Sequence, residues 1–153
     1  MPQVKQGSRR KARKKAFQCL YSLDFQKDAG PGSIASSFTH FFEDETVPLK
    51  EKEFAMELLR GVLENSEEIN RLIGSYSRHW RLERIAKIEL GILRLAIYEM
   101  VYRPDIPLKV SINEAVELSK MFGDENSKGF INGILDAVAQ SVRKGELGTR
   151  KEA

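Results

Sequence analysis

One cysteine in a chain of 153 residues cannot close an intrachain disulfide, and Cys19 falls on an apolar helical stripe, where it reads as a small buried hydrophobe. The two histidines, His40 and His79, stand far apart, so with a single thiol there is neither a zinc-ligand spacing nor a Cys/His pair for nucleophilic catalysis. No glycine-rich phosphate loop occurs. No apolar run approaches the about 18 residues of a membrane span, and no basic-then-apolar leader opens the chain. These absences lead us to expect a cytoplasmic protein without catalytic centre, metal, cofactor or membrane span.

What the chain does have is charge and helical periodicity. Lysine and arginine number 25 against 22 acidic residues, a net charge of only +3, and 41% of the residues are hydrophobic, ample for a core. The positive charge is gathered: Arg9, Arg10, Lys11, Arg13, Lys14 and Lys15 fill six of seven consecutive positions. They open an amphipathic helix, where the positive end of the macrodipole disfavours each cation by about 0.3–1 kcal/mol. The cluster gains nothing locally on this reading, which points to an external polyanion. Ala12, Ala16, Cys19, Leu20 and Leu23 form the face to be buried. Arg10, Lys14, Phe17 and Tyr21 follow along another edge, with Lys11 and Gln18 beside them. Cations leading into flat rings suit single-stranded RNA, since phosphates take charge and unstacked bases take aromatic faces. The same run also fits an ordinary solvated helix face, and Phe17 lies close enough to the apolar stripe to be core.

The apolar period is 3.6 throughout, which predicts an all-α protein. A first helix runs from Ser8 to Lys27 and stops at Gly30-Pro31-Gly32. A short one is expected over Ser33 to Phe42, and a long one from Pro48 to Tyr76 with Phe54, Leu58, Leu59, Val62, Ile69, Leu72 and Ile73 inward. From Leu82 to Arg103 two apolar stripes, Ile85/Ile88/Ile92/Leu95 and Leu90/Leu93/Ile97/Met100, predict a central helix packed from both sides and ended by Pro104. Ser111 to Glu114 has the form of a capping box and predicts a helix starting there and reaching Phe122. Gly123-Asp124 precedes a last helix from Glu125 to Arg143, on which Gly129 and Gly133 would permit close packing. Glu51, Glu53, Glu64, Glu67 and Glu68 read as solvated helix faces. The expected organisation is one domain over 1–153, with helical subdomains at 8–79 and 80–145 and a loose tail at 146–153.

Four segments carry a resemblance. Arg9 to Arg13 with Gln18 to Ser22, Ile88 to Met100, Ile112 to Lys120 and Phe130 to Asp136 resemble the NusB family of bacterial transcription antitermination factors, in order and over about residues 8 to 143. The resemblance implies about seven helices in two packed helical subdomains. It also implies binding of the single-stranded boxA element in ribosomal RNA leaders together with NusE, a small-subunit ribosomal protein, so that RNA polymerase passes terminators within an antitermination complex. Carried over residue by residue, it places RNA contacts at Arg9, Arg10, Lys11, Arg13, Tyr21, Tyr76 and Phe130, and a NusE contact at Glu89. Lys14 and Gln18 join the RNA set from the helix edge described above. On the partner side, Asn126 stands where some relatives carry aspartate, so that position carries no charge in this chain. Phe130 lies at the edge of the inward stripe of the last helix, placed either to stack on a base or to close the core. Other readings are the related helical domain of ribosomal RNA methyltransferases, for which the chain has no room to add a cofactor-binding sheet, and a self-associating helical interaction protein. Monomer and homodimer both fit the sequence.

Overall fold

The computed structural model of the protein describes residues 6–25, 41, 43–77 and 81–147. Those residues form six α-helices: α1 (Gln6–Phe25), α2 (Leu49–Glu64), α3 (Ser66–Tyr76), α4 (Lys87–Tyr102), α5 (Leu108–Phe122) and α6 (Glu125–Arg143), with a 3-10 turn at Leu82–Arg84 before α4. No strand occurs among the described residues, as the period predicts. The short helix expected over residues 33–42 lies outside the described residues except for Phe41, as do the two histidines and tail residues 148–153.

The chain divides into two compact units, Met1–Arg60 and Gly61–Ala153, so α3 groups with the later helices. In the first unit α1 buries Ala12, Ala16, Phe17, Cys19 and Leu20, and α2 buries Phe54, Ala55, Leu58 and Leu59. Burial pushes the Cys19 thiol up to about 11, with nearby Lys15 partly offsetting it. The thiol is neutral near neutral pH and behaves as the hydrophobe its position predicts. Glu51, read as solvated, is instead 6% exposed in the first turn of α2, where the helix dipole favours an acid.

In the second unit α4 is the central helix. It is buried from Leu90 to Leu93 and from Leu95 to Val101, and it packs against α3, α5 and α6, while α5 also packs on α6. Ile92, Leu93, Ile97 and Met100 are fully buried, each contributing about 1.5–3 kcal/mol relative to exposure. The polar pair in this core is satisfied, since buried Ser111 Oγ donates to Glu99 Oε1 at 2.9 Å.

Three local expectations need correction. The helix drawn from Pro48 to Tyr76 is two helices: Asn65 separates α2 from α3 with φ −112° and ψ 21°, and its side-chain amide donates to Gly61 O at 2.8 Å. An asparagine side chain competes with the backbone for carbonyls in this way, and the apolar stripe resumes beyond it. The central helix begins at Lys87 rather than Leu82, because Arg81 and Ile85 are extended and only the single 3-10 turn lies between. The Ser111–Glu114 capping box is not a helix start: Pro107 precedes α5, whose first residue is Leu108, and Ser111 is already interior. Proline brings a preset φ to a helix start, four residues before the motif.

The helix α6 is bounded by chemistry at both ends. Asp124 Oδ1 accepts from the amides of Asn126 and Ser127 at 2.9 and 3.1 Å, while Ser127 Oγ accepts from the Asp124 amide at 3.3 Å, a reciprocal capping box. At the other end Gly145 takes φ 73°, the amide of Glu146 reaches Ser141 O and that of Gly145 reaches Val142 O. That is the Schellman arrangement, in which the left-handed residue is glycine for want of a Cβ clash.

Candidate nucleic-acid interface

The cations of α1 separate into two groups. Arg9 and Arg13 bring their guanidinium carbons to 4.6 and 5.3 Å from the centroid of the Phe54 ring, and Lys15 Nζ lies 5.7 Å from that of Phe41. Arg13 is only 2% exposed, its stem packed with the core of the unit. These side chains gain cation–π energy, about 0.5 kcal/mol at exposed sites and about 2 when desolvated, which corrects the expectation that the cluster gains nothing locally. Arg10, Lys11 and Lys14 are exposed, and Gln18 and Tyr21 are half-buried. At positions 10, 11, 14, 18 and 21 they share one side of the helix. Phe17 turns inward at 2% exposure, which settles it as core, and the Tyr21 ring stacks on it with centroids 6.0 Å apart and planes at 26°. Tyr21 is therefore backed by a fixed ring and remains half-buried.

In the second unit the 3-10 turn, the start of α4 and the start of α6 form an open cavity of about 460 Å³ lined by Arg84, Ile85, Ala86, Glu89, Asp124, Asn126 and Phe130. Three residues singled out in the sequence, Glu89, Asn126 and Phe130, thus share one concavity. Glu89 and Phe130 are half-buried and Asn126 is exposed. The Glu89 carboxylate is held from behind, because Ser127 Oγ donates to its Oε2 at 2.9 Å. Tyr76 is half-buried, and its hydroxyl donates to Ser141 Oγ and ties the end of α3 to α6.

Sequence reasoning missed Arg84 and Ser127. Ser127 had a signal, the Asp-x-x-Ser spacing of a cap, whereas its bond to Glu89 joins two helices distant in the chain. Arg84 sits in a short turn that has no periodicity to read. Among the described residues no group of three or more His, Cys, Asp or Glu is placed to hold a metal ion, and no helix is long and apolar enough to cross a membrane.

The sequence model of the NusB family matches residues 10–140. The transcription antitermination protein NusB of Nitratidesulfovibrio vulgaris (strain DP4) is 46% identical over 145 residues, covering 94% of this chain and 95% of that protein. The protein of the same name from Myxococcus xanthus (strain DK1622) is 44% identical over 138 residues, covering 90% and 99%. Among solved structures, T. maritima NusB superposes with a TM-score of 0.78 at 38% identity, covering 86% of this chain and 90% of that one. A crystal structure of the antitermination factors NusB and NusE in complex with dsRNA shares the fold, with a TM-score of 0.75 at 24% identity over 89% of this chain and 98% of that one. Both the family match and the relatives run along nearly the whole length rather than over one motif, and on that ground the chain belongs to the NusB family.

Proposed function

We propose that this chain is a transcription antitermination factor that binds the boxA single-stranded RNA of ribosomal RNA leaders together with NusE and thereby supports processive transcription by RNA polymerase. The observation that carries the reading is the side of α1 bearing Arg10, Lys11, Lys14, Gln18 and Tyr21, where charge for phosphates stands next to an aromatic face for bases. Arg9 and Arg13 serve it indirectly, fixing α1 through Phe54. In the second unit Phe130 offers a second ring in the lining of the cavity. The relatives carry the name of transcription antitermination protein, and one structural relative is described with NusE and dsRNA. The role needs no reaction: the chain acts as a non-catalytic adaptor in the cytoplasm.

Calorimetric titration of boxA-like and scrambled single-stranded RNA into the protein, with and without NusE, tests the proposal. The expected result is tighter binding of the boxA-like strand, strengthened by NusE. Equal affinity for both strands, unmoved by NusE, contradicts it.

A further inference from the structure

The cavity at the start of α4 and α6 carries a chemistry that the cationic side of α1 does not. Its lining holds two carboxylates, Glu89 and Asp124, against one guanidinium, Arg84, with Ile85, Ala86 and Phe130 as apolar walls. Its volume of about 460 Å³ lies within the usual range of small-ligand sites, about 300–1,000 Å³. Surplus negative charge repels a phosphate. Of the parts of an RNA strand, the one that suits such a lining is a base, whose face stacks on an aromatic ring and whose edge is read by fixed polar groups.

The edge reader is already oriented. Ser127 is 3% exposed, and its hydroxyl donates to Glu89 Oε2 at 2.9 Å while accepting from the Asp124 amide at 3.3 Å. Gly123 makes the room for this, since a Cβ there would stand 2.7 Å from Ser127 Oγ and 2.9 Å from Ser119 O. A carboxylate accepts at both oxygens and retains lone pairs beyond the one that Ser127 occupies. It therefore matches two adjacent N–H donors. Guanine alone among the four bases presents such a pair, N1–H beside the N2 amino group. Uracil flanks its N3–H with carbonyls, and adenine and cytosine set one amino group beside a ring lone pair, so each would turn an acceptor toward the carboxylate. Arg84, on the same lining, supplies donors suited to guanine O6.

We propose that this cavity is a guanine-selective pocket for an unstacked RNA base, with Phe130 as the stacking wall, Glu89 as the edge reader and Ser127 as the residue that positions Glu89. The proposal rests on the reading of the chain as a single-stranded RNA binder. It moves Glu89 from the partner side, where the family resemblance puts it, to the wall it shares with Phe130.

The test titrates the full chain with a boxA-like single-stranded RNA and with the same strand carrying inosine, which lacks the N2 amino group, at each guanine in turn. At one position inosine should bind about 5- to 100-fold more weakly than guanine. Glu89→Gln, which keeps the shape and the acceptor for Ser127 but loses the paired oxygens, should bring that ratio near one. Ser127→Ala should lower the ratio with the salt dependence unchanged. Equal affinity for guanine and inosine at every position, in a protein that binds the strand with steep salt dependence, overturns the pocket while the RNA-binding reading stands. Failure to bind any strand overturns both. A Glu89→Gln variant that loses NusE affinity yet keeps the guanine preference overturns the assignment in favour of a protein contact.

Discussion

The Ser127 hydroxyl stands 2.9 Å from Glu89 Oε2 and donates to it, so a residue in the first turn of α6 fastens one in the first turn of α4. The same oxygen accepts from Asp124, whose carboxylate caps α6. Cap and cross-link are therefore one unit. Ser127→Ala should cost about 1.5–3 kcal/mol, the usual worth of a hydrogen bond to a charged group, and Asp124→Ala about 0.5–2 kcal/mol as a lost N-cap. Because both act on one network, urea unfolding of the double variant should show less than the sum of the single losses. Full additivity would mean that the cap and the cross-link are independent.

Glycines in this protein divide by what surrounds them. A Cβ on Gly61 would come within 2.2 Å of the Tyr98 ring, whereas one on Gly129 or Gly133 would meet nothing within 4 Å. Gly61→Ala should therefore destabilise by about 1–3 kcal/mol through overpacking. Gly129→Ala and Gly133→Ala should each stabilise by up to about 1 kcal/mol, the difference in helix propensity. Thermal melting separates the two classes, and a loss of stability at Gly129 or Gly133 would contradict the open surroundings found there.

Cys19 supplies a pH signature. Burial raises its pKa from 9.0 to about 11, so folding favours the neutral thiol. An acid whose pKa is higher in the folded state contributes its full stability below the unfolded value and loses that contribution as pH rises toward the folded one. Between pH 9 and about 11 the native protein should thus lose stability more steeply than a Cys19→Ala variant. The variant will be less stable at neutral pH from its small cavity, so the comparison is of slopes. Parallel slopes would show that the thiol titrates alike in both states.

Much of this was legible in the chain, for physical reasons that differ by element. The two apolar stripes of α4 identified a helix packed from both sides, because periodicity reports burial directly. Gly123-Asp124 marked the start of α6, because a cap is local chemistry. The break at Asn65 left no trace: no proline or glycine stands between Glu64 and Ser66, and the apolar stripe continues beyond it. Ser111 misled because its capping pattern matches a motif whose position Pro107 had already taken. In the α1 cluster the sequence named the cations but could not tell which would stack on Phe54, since that depends on α2. The grouping of Glu89 with Phe130 is likewise tertiary, set by where α6 begins against α4.

Salt dependence of RNA binding tests the central claim most directly, because it counts phosphate contacts. For single strands log affinity falls with log salt by about 0.7 per phosphate neutralised, so Arg10, Lys11 and Lys14 together should contribute a slope of about −2. Arg10→Ala with Lys14→Ala should flatten the wild-type slope by about 1.4 units. Arg13→Ala should lower the melting temperature instead, having lost its packing against Phe54. A wild-type slope near zero, or one that the Arg10/Lys14 double variant leaves unaltered, would contradict the assignment of this side of α1 to RNA.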